Sequence, residues 1–111
     1  MSIKTTDIGE VTVLELNGKL MGGDETQAIR EEIVKLTKSG KKNFVFDLGN
    51  IKWINSSGLG VIVNCHNIVK ENGGLLKLAR VEQKIESLLI VTHLIKVFQC
   101  YKTVDDAVAT F

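Results

Sequence analysis

Two adjacent hydroxyls, Ser56 and Ser57, stand in the run Trp53-Ile54-Asn55-Ser56-Ser57-Gly58-Leu59-Gly60, where a short apolar strand or loop gives way to a polar turn and then an apolar helix. The helix is predicted from Leu59, Val61, Ile62, Val63, Cys65, Ile68 and Val69, which recur at spacings a helix can bury. A helix start carries unpaired N–H groups and partial positive charge, so a serine there either caps the helix or holds a phosphate. The stretch reads as a regulatory serine site.

Enzymatic readings of the same residues fail on spacing. A serine nucleophile on a strained turn needs a G-x-S-x-G frame, because no side chain fits beside it; Asn55 and Leu59 occupy those flanks here. His66 follows nine residues later in the same helix, and His93 lies near the end of another without an evident acid partner. Both histidines read as surface or helix-end residues. Gly58-Leu59-Gly60 and Gly22-Gly23 lack the frames of nucleotide-binding loops. Cys65 and Cys100 fall in apolar helix and strand patterns, with no CxxC and no histidine at metal spacing. They read as buried reduced thiols, and neither a metal nor a cofactor is expected. The chain is not expected to be an enzyme.

Two glycines in a first helical turn cost up to about 1 kcal/mol each relative to alanine, so Gly58 and Gly60 need a reason. Either they permit tight packing against a sheet, or they leave a flat surface on which a partner docks. Trp53, the only tryptophan, reads as a core residue beneath the loop rather than a contact at the rim of the serine surface.

These residues must be positioned by a single domain, expected over residues 1–111. Composition is that of an ordinary globular chain, 44% hydrophobic and 24% charged with a net charge of +1, which argues against a nucleic-acid binder. No apolar run approaches the roughly twenty residues that span a bilayer, and a cytoplasmic protein is expected. Val11–Leu16 reads as a strand ended by Asn17-Gly18, and Asp24-Glu25-Thr26-Gln27 has the form of a capping box opening a helix that Ser39-Gly40 stops. Phe44–Leu48 is apolar nearly throughout, as a central strand covered on both faces would be. The second helix runs to about Glu71. A strand at Leu75–Ala79, a helix from Val81 to about His93 and a strand at Val97–Tyr101 follow. Thr103 then opens a short helix that buries Val104, Ala107, Val108 and Phe111. Such alternation predicts an α/β fold with a mixed, mainly parallel sheet and about four helices.

Asn55-Ser56-Ser57-Gly58-Leu59-Gly60, with Phe44–Leu48 upstream and Gly73-Gly74 before a strand downstream, resembles the bacterial anti-sigma factor antagonists built on a STAS domain. Gly18-Lys19-Leu20 matches the family's early glycine-containing strand, and Leu88 through Phe98 resembles its third helix leading into the last strand. The resemblance implies a binding protein. Its partner would be an anti-sigma factor that is itself a serine kinase; the unphosphorylated antagonist binds it and frees the sigma factor. Phosphorylation at the second hydroxyl of the motif, Ser57 here, ends the interaction, and a phosphatase resets it. Asn55, Ser56, Ser57, Gly58, Leu59 and Gly60, with Gly22, Gly23 and Asp24, would form the partner-binding surface. Asn55 stands where the family commonly has Asp. Met21 stands where relatives often have Asp, with Asp24 as a partial substitute, and Ser56 is either a second acceptor or the helix cap. A rival within the same fold is a STAS subunit serving as a structural partner in a stressosome-like assembly or beside a lipid-transport ATPase.

Overall fold

The computed structural model of the chain describes residues 2–111. Strand β1 (Ser2–Ile8) turns at Gly9-Glu10 into β2 (Val11–Leu20), and Gly9 supplies the positive φ that a two-residue hairpin needs. There follow α1 (Asp24–Lys38), β3 (Asn43–Asp47), β4 (Ile51–Ile54), α2 (Ser56–Glu71), β5 (Leu75–Ala79), α3 (Gln83–Val91), β6 (Cys100–Tyr101) and α4 (Val104–Ala109). The sheet order is β1-β2-β3-β5-β6, with β4 pairing to the far end of β2. Among the described residues only the β1/β2 hairpin is antiparallel, and every other pairing is parallel. This is the mixed, mainly parallel architecture expected from the alternation, and β3 lies mid-sheet between β2 and β5.

The period of two along each strand sorts side chains between two cores. Leu14 and Leu16 of β2, Phe44 and Phe46 of β3, and Leu76 and Leu78 of β5 face α1, α2 and α3. Val11, Val13, Val45 and Ala79 point to the other face, where Ala107 of α4 covers them. Lys77 shares that second face and is nearly fully buried. Its ammonium donates to the Thr110 carbonyl at 3.0 Å and hydroxyl at 2.7 Å, and lies 4.2 Å from the Phe111 ring centroid. Phe111 is therefore a half-exposed lid over a cation and not the core residue its spacing predicts.

Several elements depart from sequence expectation. β2 does not end at Asn17-Gly18; it continues to Leu20, because β4 pairs with Gly18–Leu20 across an irregularity between Gly18 and Lys19. The expected strand at Val97–Tyr101 shrinks to Cys100–Tyr101. His93 adopts φ 61° after α3, and the next residues fold back, with Leu94 N–H donating to the Leu89 carbonyl, so Phe98 drops into the core. Cys65 is buried and its thiol is pushed up to about 12 by desolvation, but Cys100 is exposed because β6 is a two-residue edge. No described helix is long and apolar enough to cross a membrane.

His66 is half-buried rather than a free surface side chain. Its ring packs edge-on against Phe98 at 5.1 Å, and its buried Nδ1 has no hydrogen-bond partner among the described residues. Burial, and then the charge of Lys70, hold its pKa below the ordinary value of 6.5. The unfolded chain therefore takes up this proton at higher pH than the folded chain. The contribution of the neutral ring to stability is present above about pH 6.5 and is lost as pH falls through the lower folded value. Urea midpoints measured from pH 7.5 down to 5 should fall more steeply for the wild type than for His66→Phe; parallel slopes would exclude His66 as the source.

Candidate functional site

The helix cap at the serine motif is Asn55. Its backbone is extended, at φ −124° and ψ −178°, and its Oδ1 accepts from the Gly58 N–H at 2.8 Å. Its Nδ2 donates to the Met21 carbonyl at 3.1 Å, and its own N–H donates to the Leu20 carbonyl at 3.3 Å. One side chain thus starts α2 and ties it to the loop between β2 and α1. Neither serine is needed as a cap. Ser56 and Ser57 become the first two helical residues, both exposed, with backbone N–H groups that have no intrahelical acceptor. No acidic residue lies in this first turn, so the partial positive charge of the helix end is uncompensated.

The two glycines of the motif answer different needs. A Cβ on Gly58 would lie 1.8 Å from the Leu20 carbonyl oxygen, so here the glycine allows the helix to press against the end of β2. A Cβ on Gly60 would meet nothing within 4 Å, and the residue is exposed. Gly60 leaves the surface flat. Leu59 between them is buried and anchors the turn in the main core.

The loop that faces Ser57 is itself poor in side chains. Gly22 and Gly23 have φ values of 92° and 80°, in a region that L side chains rarely adopt. A Cβ on Gly22 would come within 3.1 Å of Ser57 Cβ, so the absence of a side chain keeps the serine open. The expected capping box is not formed: the cap of α1 is Gly23, and Asp24 is already helical, one position too late to cap. Thr26 holds the loop instead, its hydroxyl accepting from Gly22 N–H at 2.9 Å and donating to the Gly22 carbonyl at 3.0 Å. Sequence reasoning missed Thr26 and the Met21 carbonyl, because what they do depends on a contact across the loop and not on residue type. Asp24 contributes an exposed carboxylate near the start of α1.

Trp53 is 62% exposed, contrary to its reading as core. Lys19 pairs with Trp53 immediately after Gly18 pairs with Ile51, so β4 carries the extra residue Lys52. This bulge turns Trp53 away from the face on which Ile51 is buried. The His66 ring is engaged with Phe98, and among the described residues no group of three His, Cys, Asp or Glu could hold a metal.

Replacing Asn55 by Asp tests the bridge. The carboxylate would keep the bond to Gly58 N–H and gain about 0.3–1 kcal/mol from the helix end, but would lose the bond to Met21, worth about 0.5–1.5 kcal/mol. Stability should change by under about 1 kcal/mol, while hydrogen exchange at Gly22 and Gly23 should quicken. Unchanged loop exchange would show that the bridge does not hold the loop.

A family model described as the STAS domain matches residues 2–107. The chain belongs to the STAS domain family. A Thermotoga maritima protein described as a candidate anti-sigma factor antagonist is 33% identical over 72 residues, 65% of this chain and 63% of that protein. The match thus spans less than two thirds of the relative's length. A crystal structure of a candidate anti-sigma factor antagonist from Thermotoga maritima aligns over 97% of this STAS domain and 92% of that chain, with a TM-score of 0.88 at 23% identity. The phosphorylated form of the Bacillus cell fate determinant SpoIIAA aligns over 98% of both chains, with a TM-score of 0.77 at 16% identity. At those identities the likeness to solved structures shows the fold.

Proposed function

We propose that this STAS domain is a cytoplasmic anti-sigma factor antagonist controlled by phosphorylation of Ser57. Unphosphorylated, it binds an anti-sigma factor with serine kinase activity and so frees the sigma factor; a phosphatase restores it after phosphorylation. The observation that carries this reading is the exposed Ser57 hydroxyl in the uncompensated first turn of α2, beside Gly22 and one turn from Gly60. The surface made by Asn55, Ser56, Ser57 and Gly60, with Gly22, Gly23 and Asp24, is open to a partner's backbone, and the buried Gly58 and Leu59 hold it from beneath. A phosphate there adds about −1.5 to −2 charges to that surface, and the helix end tolerates the anion without unfolding. The names of the relatives and the solution of SpoIIAA in a phosphorylated form support the same reading.

The test is to recover the ATP-dependent serine kinase that co-purifies with this chain from its host, and then to map the phosphate by mass spectrometry. One phosphate on Ser57, absent from Ser57→Ala, is expected. Label on another residue, or equal labelling of Ser57→Ala, would refute the switch. Recovery of a multisubunit assembly without any kinase would favour the structural-partner role.

A further inference from the structure

The bulge that exposes Trp53 also opens a groove of about 400 Å³ between β4 and α3. Trp53 and Ile54 form one wall, and Lys84, Leu88 and Val91 form the other, at helical spacings that bring them onto one face of α3. The exposure is large for apolar groups: 62% for Trp53 and 75% for Val91. Every charged residue lining the groove is a lysine, Lys52 or Lys84, and Lys19 stands opposite Trp53 in the sheet register. Lys84 Nζ donates to the Lys52 carbonyl at 2.7 Å, which fixes one ammonium at the rim without neutralising it. Its Trp53 wall lies two residues before the Asn55 cap, so the groove adjoins the start of α2 that carries Ser57.

We propose that this groove is a second anchoring point for the anti-sigma kinase, taking an apolar side chain flanked by Asp or Glu carboxylates; this rests on the function proposed above. A buried aromatic at the centre of a contact with a charged rim is the usual composition of a binding hot spot. The positive rim selects an acidic segment and speeds encounter. A second copy of this chain fits less well, because a symmetric pair would bring one Lys52 and Lys84 against another.

The experiment is calorimetric titration of the purified kinase, held in its ADP form so that Ser57 is not modified, with wild type, Trp53→Ala, Val91→Ser and the double variant Lys52→Glu/Lys84→Glu. Trp53→Ala should weaken binding by about 30-fold or more, and Val91→Ser by about fivefold. The double variant should bind about tenfold more weakly at low salt, with the difference shrinking as salt rises. With ATP, Trp53→Ala should raise KM for phosphorylation of Ser57 and leave kcat unchanged, whereas a defect in the acceptor site itself would lower kcat. Circular dichroism and thermal melting establish that each variant is folded. Wild-type affinity for Trp53→Ala together with weakened Ser57→Asp would overturn the groove and leave the proposed function standing. Absence of binding and phosphorylation of the wild type would overturn both. A wild-type dimer that Trp53→Ala converts to monomer would assign the groove to a second copy, against the proposal.

Discussion

Gly58→Ala should lower the stability of the domain by about 3 kcal/mol, the range of forced overpacking against atoms that cannot rotate away. The obstacle is a backbone carbonyl: the added Cβ would stand 1.8 Å from the oxygen of Leu20, at the end of β2 where that strand pairs with β4. Relief requires α2 to move off β2, which also breaks the Asn55 bonds to the Leu20 and Met21 carbonyls. Gly60→Ala, two residues on, should have the opposite sign. Nothing lies within 4 Å of its Cβ position, so the helix gains up to about 1 kcal/mol from the lower backbone entropy of alanine in the unfolded chain. Denaturant unfolding of the two variants beside the wild type decides the matter. Similar shifts in midpoint for both would mean that the contact with Leu20 does not govern the site. The comparison also isolates function from folding, since Gly60→Ala leaves a stable domain whose docking surface carries one added methyl.

Phosphorylation of Ser57 should weaken kinase binding by at least about 100-fold, roughly 3 kcal/mol, while leaving the domain folded. The separation of the two effects follows from the site. Folding is insensitive because Ser57 is exposed, Asn55 supplies the cap, and an anion near the first turn of α2 is stabilised by about 0.3–1 kcal/mol. Binding is sensitive because the phosphate rises beside Gly22 and near Gly60, on ground that has no side chains to absorb its bulk. Ser57→Ala should bind like the unphosphorylated wild type. Ser57→Asp should bind about tenfold more weakly, since one carboxylate carries half the charge of a phosphate and fewer oxygens. Titration calorimetry gives the affinities, and thermal melting should show the phosphorylated form at least as stable as the wild type. Equal affinity of Ser57→Ala and the phosphorylated chain would end the switch, and a collapse of the melting temperature on phosphorylation would show that the loss of binding is unfolding.

Local pattern alone determined the α/β class, the mid-sheet strand around Phe44–Phe46, the helix from the serines to Glu71, the strand at Leu75–Ala79 and the Thr103 cap of the last helix, because period and capping chemistry are short-range properties. It also placed Ser57 at a helix start. It did not separate the roles of Gly58 and Gly60, since both are glycines in one turn and only the position of Leu20 distinguishes them. Pattern alone favours a serine, Ser56, as the cap, whereas Asn55 fills that place, because its side chain is equally suited and the choice depends on where the end of β2 stops the helix. Trp53 and Cys100 were misjudged for one reason: apolar type predicts burial, but a bulge and a two-residue edge strand leave these positions facing out. Asp24 has the right type for a cap and the wrong register, displaced by the positive φ of Gly23. What a residue can do chemically was readable from its type and neighbours in the chain; whether it is open, pressed against another strand or turned to solvent was decided by contacts between segments far apart in sequence, as between Leu20 and Gly58, 38 residues on.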